Sequence, residues 1–451
     1  MTSLQPKISL RSATILVVSV IIGSGVFKKI APMSAELGSP VLVILCWIFA
    51  GLISLAGALT TAEMVSLFPN SGGEYAYFKE LYGRFFAFLY GWSSVMVTKT
   101  AAISALAYIF AESLNSLIPL PLLKAGNIDN LSIKLLASLL IVLLTYLNVR
   151  GVAFAEQISK LLSMVMLGVM GIFIVSGILS SAGSLSHLTT VSPTMPHTFW
   201  TLLKSFFLAS LGAFWGYEGW NNLAYVGEEI QQPQKNLPRA LIRGTLFVIA
   251  IYVLLNIVYL YVLPVQQFIV IHENSNQIAA VEVAQVIMGP AGLYLIAGLI
   301  LVTTLNATNT SILLSARMLF ALSRDRLFIP AASSVHQRFN TPHVALYLQA
   351  VWAIALVFSG TFDQLTDMLV FSAFIFYGST AVSVIYLRIK EPNRDRGFRV
   401  PAYPFVPLIF IFFSIILLVI TITSQPREAL WGLALIASGL PVYLWMKRRS
   451  P

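Results

Sequence analysis

Charge is what this chain has least of, and the shortage excludes an ordinary soluble globular protein. Only 10% of its 451 residues are charged while 57% are hydrophobic, with a mean hydropathy of +0.83; a soluble domain is about one-quarter charged. Cysteine is nearly missing. The single Cys46 lies in the second apolar stretch, so neither a disulfide framework nor a cysteine-based metal site is available, and no metal or other cofactor is expected. The five histidines, His187, His197, His272, His336 and His343, fall in loops or at the ends of apolar stretches, which leaves an intramembrane hydrolase without a base beside a nucleophile. No repeated filter or pore-lining ring is visible, as a channel would need. Polar stretches reach only about 15 to 20 residues, short of domain size. The first apolar segment lacks an Ala-x-Ala cleavage site and is broken by Gly-Ser-Gly, so no removable signal is expected. Function must be built within the membrane.

What is there are apolar stretches of about 20 residues, roughly twelve of them. They start near Ile8, Val41, Phe85, Leu131, Phe154, Phe199, Leu241, Pro290, Val344, Asp363, Tyr403 and Glu428. The cations alternate between loops: Lys7 and Arg11, Lys79 and Arg84, Arg150, Lys235 to Arg243, Arg324 to Arg338, Arg388 to Arg399 and Lys447 to Arg449 fall on one side together with both ends of the chain. The opposite loops hold chiefly Lys124, Lys134 and Arg427. This bias predicts a multi-pass plasma-membrane protein with both termini cytoplasmic. The net charge of +10 is thus a topology signal and implies no nucleic-acid partner, because the charges never gather on one extramembrane domain.

Two of the spans are interrupted. Ile21-Ile22-Gly23-Ser24-Gly25-Val26-Phe27 breaks the first, and Phe214-Trp215-Gly216-Tyr217-Glu218-Gly219-Trp220-Asn221-Asn222 breaks the sixth. A backbone that leaves the helix inside a bilayer needs protein or a polar solute to satisfy its N–H and C=O groups. One such break also serves a kink or close helix packing. Two, at the leading helices of two five-span halves, match the discontinuous helices of inverted-repeat transporters and predict a midplane site. The expected organisation is residues 1–200 (spans one to five), 201–400 (spans six to ten) and 401–451 (two appended spans and the C-terminus).

Several runs resemble the amino acid-polyamine-organocation superfamily and, within it, the L-amino acid transporter family: Ile-Ile-Gly-Ser-Gly-Val-Phe at 21–27, Phe-Pro-Asn-Ser-Gly-Gly-Glu-Tyr at 68–75 continuing to Gly83, Gly-Tyr-Glu-Gly-Trp-Asn at 216–221 with Glu228, Glu229 and Pro233 beyond, Lys160, and Ala316-Arg317 through Asp325. The first two together are highly specific, and the likeness covers about residues 7 to 450. Among subgroups, the chain resembles the bacterial alanine-serine-cysteine exchangers. The resemblance implies an all-α LeuT-type 5+5 inverted repeat with twelve transmembrane helices, alternating access, and sodium-independent exchange of small neutral amino acids such as alanine, serine and cysteine. A proton-coupled symporter is the alternative. Human members join an ancillary glycoprotein through a cysteine after the third span; here that loop, about Leu117 to Asn130, has none, which excludes a disulfide-linked subunit and leaves a chain expected to work as a monomer.

The breaks suit an amino acid. Free N–H groups of Ser24, Gly25 and Val26, at the start of a half-helix, favour the substrate carboxylate. Carbonyls near Ile21 and Trp215, at the ends of the preceding half-helices, accept from its ammonium. Gly23 and Gly219 let backbone approach closely. By resemblance Trp215 gates the substrate from outside, the other reading being an interfacial tryptophan. Glu218 orders the unwound segment, carries a proton or faces water, and the sequence leaves these open. Lys160, by resemblance, stands where sodium-coupled relatives hold sodium, with Ser311 and Ser315 of span eight as candidate partners, the other reading being a lysine snorkelling to the interface. Lys99 is a second mid-span cation without an assigned role. Glu63 and Glu112, near span ends, are expected to be solvated. Gly72 to Tyr82 suits an amphipathic cytoplasmic helix, scaffold and inner gate.

Overall fold

The computed structural model describes residues 8–68, 73–121, 123, 129–151, 156–223, 230–274, 277–339 and 341–449, with the side chains of 156–163, Leu314 and 448–449 excepted. The first half runs α1 (Leu10–Ile21), α2 (Gly25–Lys28), α3 (Ile30–Leu37), α4 (Pro40–Leu67), α5 (Gly73–Leu81), α6 (Gly83–Ser93), α7 (Lys99–Leu117), α8 (Leu131–Val149) and α9 (Glu156–Ile178). The second runs α10 (Phe199–Gly216), α11 (Pro233–Val262), α12 (Val265–Glu273), α13 (Ala279–Met288), α14 (Pro290–Arg324), α15 (His343–Ser359) and α16 (Phe362–Lys390), followed by α17 (Phe405–Ser424), α18 (Pro426–Ala437) and α19 (Gly439–Arg449). No strand occurs among the described residues beyond a single bridge between Ile8 and Ile230.

Among the described residues, eight helical stretches are long and apolar enough to cross a bilayer, among them Gly83–Leu117, in which a π turn at Ser94–Thr98 joins α6 to α7. The other expected crossings fall on shorter or broken helices: α1 with α2 and α3, α9, α10 and α15. Helix starts match the apolar stretches closely except at α11. That helix begins at Pro233, eight residues before the Leu241 that hydropathy marks, because a proline at its first turn starts a polar helical segment that apolarity does not register.

Small residues set the packing around the first span. A Cβ at Gly244 of α11 would press on Val17 of α1, and one at Gly51 of α4 on Tyr217 and Ile249. In lipid, where burial of apolar surface cannot drive helices together, such close approach is what holds them. It brings α1, α4, α10 and α11 into one bundle around the two breaks.

Candidate functional site

The first break opens where α1 ends. Ile22 N–H still donates to Val18 C=O at 2.9 Å, and the next helical bonds are Phe27 N–H to Ser24 C=O at 3.2 Å and Lys29 N–H to Gly25 C=O at 2.9 Å. The N–H groups of Ser24, Gly25 and Val26 therefore precede the helix's first bonds. Lys29 has helical dihedrals and Met33 N–H donates to its C=O at 3.1 Å, so α2 and α3 act as one helix behind the break. On the other side, Ile21 C=O accepts from Tyr252 Oη at 3.1 Å, which leaves the second lone pair of that oxygen for a ligand.

The second break starts at Gly216. Tyr217 N–H closes the last turn on Ala213 C=O at 3.0 Å, and Glu218 N–H turns back to Trp215 C=O at 3.2 Å. Gly219 then takes φ +114°, a conformation only glycine adopts without strain. The two breaks touch each other. A Cβ at Gly25 would run into the backbone of Gly216, 2.9 Å from its nitrogen, and one at Gly219 would sit 2.9 Å from Val20 Cγ1 and 3.1 Å from Val20 C=O. Glycine at 25 thus serves the junction of the two broken helices as much as any ligand.

Beside this junction lies a cavity of about 140 Å3, bordered by Ile21, Gly23, Ser24 and Gly25 from the first break and by Trp215, Glu218 and Gly219 from the second. Val26, expected with them, is fully buried behind the wall. Spans three, eight and ten complete it with Ala102, Leu106, Ser311 and Leu369. Ser315 is buried away from it, its hydroxyl without a partner among the described residues. The Lys160 side chain lies outside the described residues. Trp215 is buried, so it is no interfacial tryptophan; its Nε1 donates to Ser24 Oγ at 3.3 Å and its ring meets Phe362 edge-on at 6.1 Å. It bridges the two breaks on the cavity's rim.

Charge enters from the second break. Lys99, at the end of the π turn, borders the cavity and donates to Asn222 Oδ1 at 2.7 Å. Tyr377 Oη donates to Glu218 Oε1 at 2.7 Å. Glu74, buried at the start of α5, accepts from Tyr90 Oη and from Asn221 Nδ2 at 3.1 Å. The segment after α10 is therefore held from α5, α7 and α16. Glu74 reads in sequence as part of the polar face of an amphipathic surface helix, yet it is buried against the second break; Lys99 was visible as a mid-span cation, yet its partner was not.

Ties close both ends of the bundle, and they correct the expectation that Glu63 and Glu112 are solvated. Both are buried and ion-paired. On the face that carries the chain termini, Glu63 accepts from Arg388 at 2.9 and 2.6 Å, with Arg396 Nε at 3.3 Å. There too Asp325 accepts from Tyr75 Oη and Lys79 Nζ, each at 2.6 Å. Burial raises the Asp325 carboxyl, but those two hydrogen bonds together with the positive charges of Lys79 and Arg84 outweigh it and hold the group below the ordinary aspartate range. On the opposite face Glu112 accepts from Lys28 Nζ at 2.6 and 2.5 Å, and Lys29 Nζ donates to Asp363 Oδ1 and Thr366 Oγ1 at 2.6 Å with Asp367 at 3.5 Å. These two lysines directly follow the first break, and sequence reasoning passed over them. Two adjacent cations inside a first span were the signal.

Residues 8–446 match the profile of the amino acid permease family. The chain belongs to that family. It is 31% identical over 99% of its length to the serine/threonine exchanger SteT of Bacillus subtilis (strain 168), covering 98% of that protein. It is 28% identical to the human b(0,+)-type amino acid transporter 1 and 28% identical to the human large neutral amino acids transporter small subunit 2, over 98% of this chain in both cases and 88% and 80% of the relatives. The family's LeuT-type fold accords with the all-helical architecture. This permease is a multi-pass membrane protein and no enzyme.

Proposed function

We propose that this permease exchanges small neutral L-amino acids such as alanine, serine and cysteine across the plasma membrane by alternating access, without sodium. One observation carries the proposal: two broken helices meet glycine to glycine beside a small cavity, with N–H groups at the start of one half-helix that bond no backbone carbonyl among the described residues, and with the second lone pair of Ile21 C=O at its wall. An α-amino acid offers a carboxylate to the first and an ammonium to the second. The cavity's size favours small substrates, and a relative named as a serine/threonine exchanger fits that range. Lys160 acts as a fixed cation tying the first broken helix to spans five and eight, with Ser311 and Ser315 as partners. Residues 1–200 and 201–400 form the two inverted halves, and 401–451 is the appendage. The alternating cations put both termini in the cytoplasm. With no cysteine in residues 117–130 the chain forms no disulfide-linked subunit there, and it works as a monomer.

Proton-coupled symport is the second reading, favoured by one observation: the Glu218 carboxylate lies within the second break, whose segment the buried Glu74 carboxylate and the Lys99 ammonium both grip. Proteoliposomes decide between them. Labelled alanine should enter only when unlabelled amino acid is inside, at the same rate in sodium and in choline buffer. Concentrative uptake into empty liposomes driven by an inward proton gradient would overturn exchange in favour of symport.

A further inference from the structure

A second cavity, of about 250 Å3, opens on the face away from the termini, above the Lys28–Glu112 pair, with Tyr108, Asn130, His272 and Asp363 on its walls. The side chain of Lys28 is 10% exposed and that of Glu112 not at all. We propose that this cavity is an entry site for a zwitterionic amino acid, whose carboxylate takes Lys28 and whose ammonium takes Glu112, releasing α2 from α7. The proposal rests on the exchanger reading and adds a site that the central cavity does not contain.

The chemistry follows from what a buried pair tolerates. Removing one partner from a buried ion pair strands the other charge and is strongly disfavoured. A solute with a single charge therefore cannot separate Lys28 from Glu112. A zwitterion brings both charges, so each residue exchanges one charge-assisted partner for another. Lys28 Nζ also lies 5.0 Å from the centre of the Phe362 ring and 6.0 Å from that of Tyr108, faces that continue to stabilise the cation while it changes anions. Lys28 lies one turn after Gly25 in the continuous α2–α3 helix. Release of its tie to α7 therefore acts on the helix whose first N–H groups open the central site.

Counterflow measured from each face tests this, with intact cells for one and inverted vesicles for the other. In the double variant Lys28→Met/Glu112→Gln the apparent KM should rise about tenfold on the face away from the termini and stay unchanged on the opposite face; Lys28→Arg/Glu112→Asp should recover part of the loss. An equal change on both faces, or a faster rate with KM unaltered, would overturn the entry site and leave a plain latch. A measurement that spares the pair stands beside it. Gln277, which lines the cavity, is replaced by cysteine in a chain whose own Cys46 is fully buried. Saturating alanine should slow its labelling by a membrane-impermeant thiol reagent several-fold while alaninamide, which lacks the carboxylate, does not; no protection by alanine overturns the proposal. Unaltered protein without any counterflow would instead defeat the exchanger reading itself.

Discussion

At the first break Gly23, Ser24 and Gly25 present backbone and no charge, whereas the second carries Glu218, Asn221 and Asn222 and is gripped by Tyr377, Glu74 and Lys99. The difference separates two tasks. In the exchange proposed above, backbone N–H and C=O groups would address what every α-amino acid shares, whatever side chains surround them. Side chains would address what differs between substrates and between conformations, which makes the second break the place where the proposed transport would be tuned.

The comparison breaks most completely at the junction. Gly25→Val forces a branched side chain into the Gly216 backbone and should reduce counterflow to background, with Gly25→Ala intermediate; substrate affinity surviving in the valine variant would mean that the first break is no binding site. Lys99→Met frees Asn222 and removes the cation facing Glu218 and Glu74. It should cost about tenfold in exchange rate, the equivalent of ~1.4 kcal/mol and within the range for an unpaired buried polar group, together with a lower melting temperature in detergent. Wild-type rate and melting would show that the second break needs no cation. Lys160→Ala should slow turnover several-fold while leaving substrate affinity within about twofold, because it is expected to act on helix motion and not on the ligand; a large loss of affinity would move Lys160 into the site.

The smallest effect belongs to the tie at Asp325, whose partner Lys79 is 42% exposed. Asp325→Asn should change stability by about 0–1 kcal/mol, as half-exposed pairs do. Because the folded carboxyl titrates below its ordinary value, its contribution is complete above the unfolded aspartate range and fades only as pH falls through the lower folded value. Exchange measured from pH 5 to 8 should therefore show the same profile in Asp325→Asn as in the unaltered protein, and a profile that shifts would assign this tie a larger part.

Both breaks were legible in the sequence, since Gly-Ser-Gly and the Gly-Tyr-Glu-Gly run are local departures from apolar helix. Helix starts were legible for the same reason, apart from the polar first turns of α11. The pairings were not. Glu63 finds Arg388 across 325 positions, Glu112 finds Lys28 across 84, and Lys99 finds Asn222 across 123. A carboxylate near the end of a span looks solvated until the helix that covers it is known, and only the packing of distant spans supplies that helix.

The π turn at Ser94–Thr98 has the consequence of a phase shifter in the third span. An α-helix advances about 100° per residue, so the one extra residue that a π turn accommodates rotates everything after it by about that angle relative to what comes before. Upstream of the turn, Tyr90 reaches Glu74 and Trp92 reaches the carbonyl of Leu435; downstream, Lys99 faces the second break and Glu112 faces Lys28. A regular helix of the same sequence could keep one of these sets in phase with its neighbours and would lose the other. Five residues of irregular winding thus let a single rod answer to two differently oriented surroundings, one at each depth of the membrane.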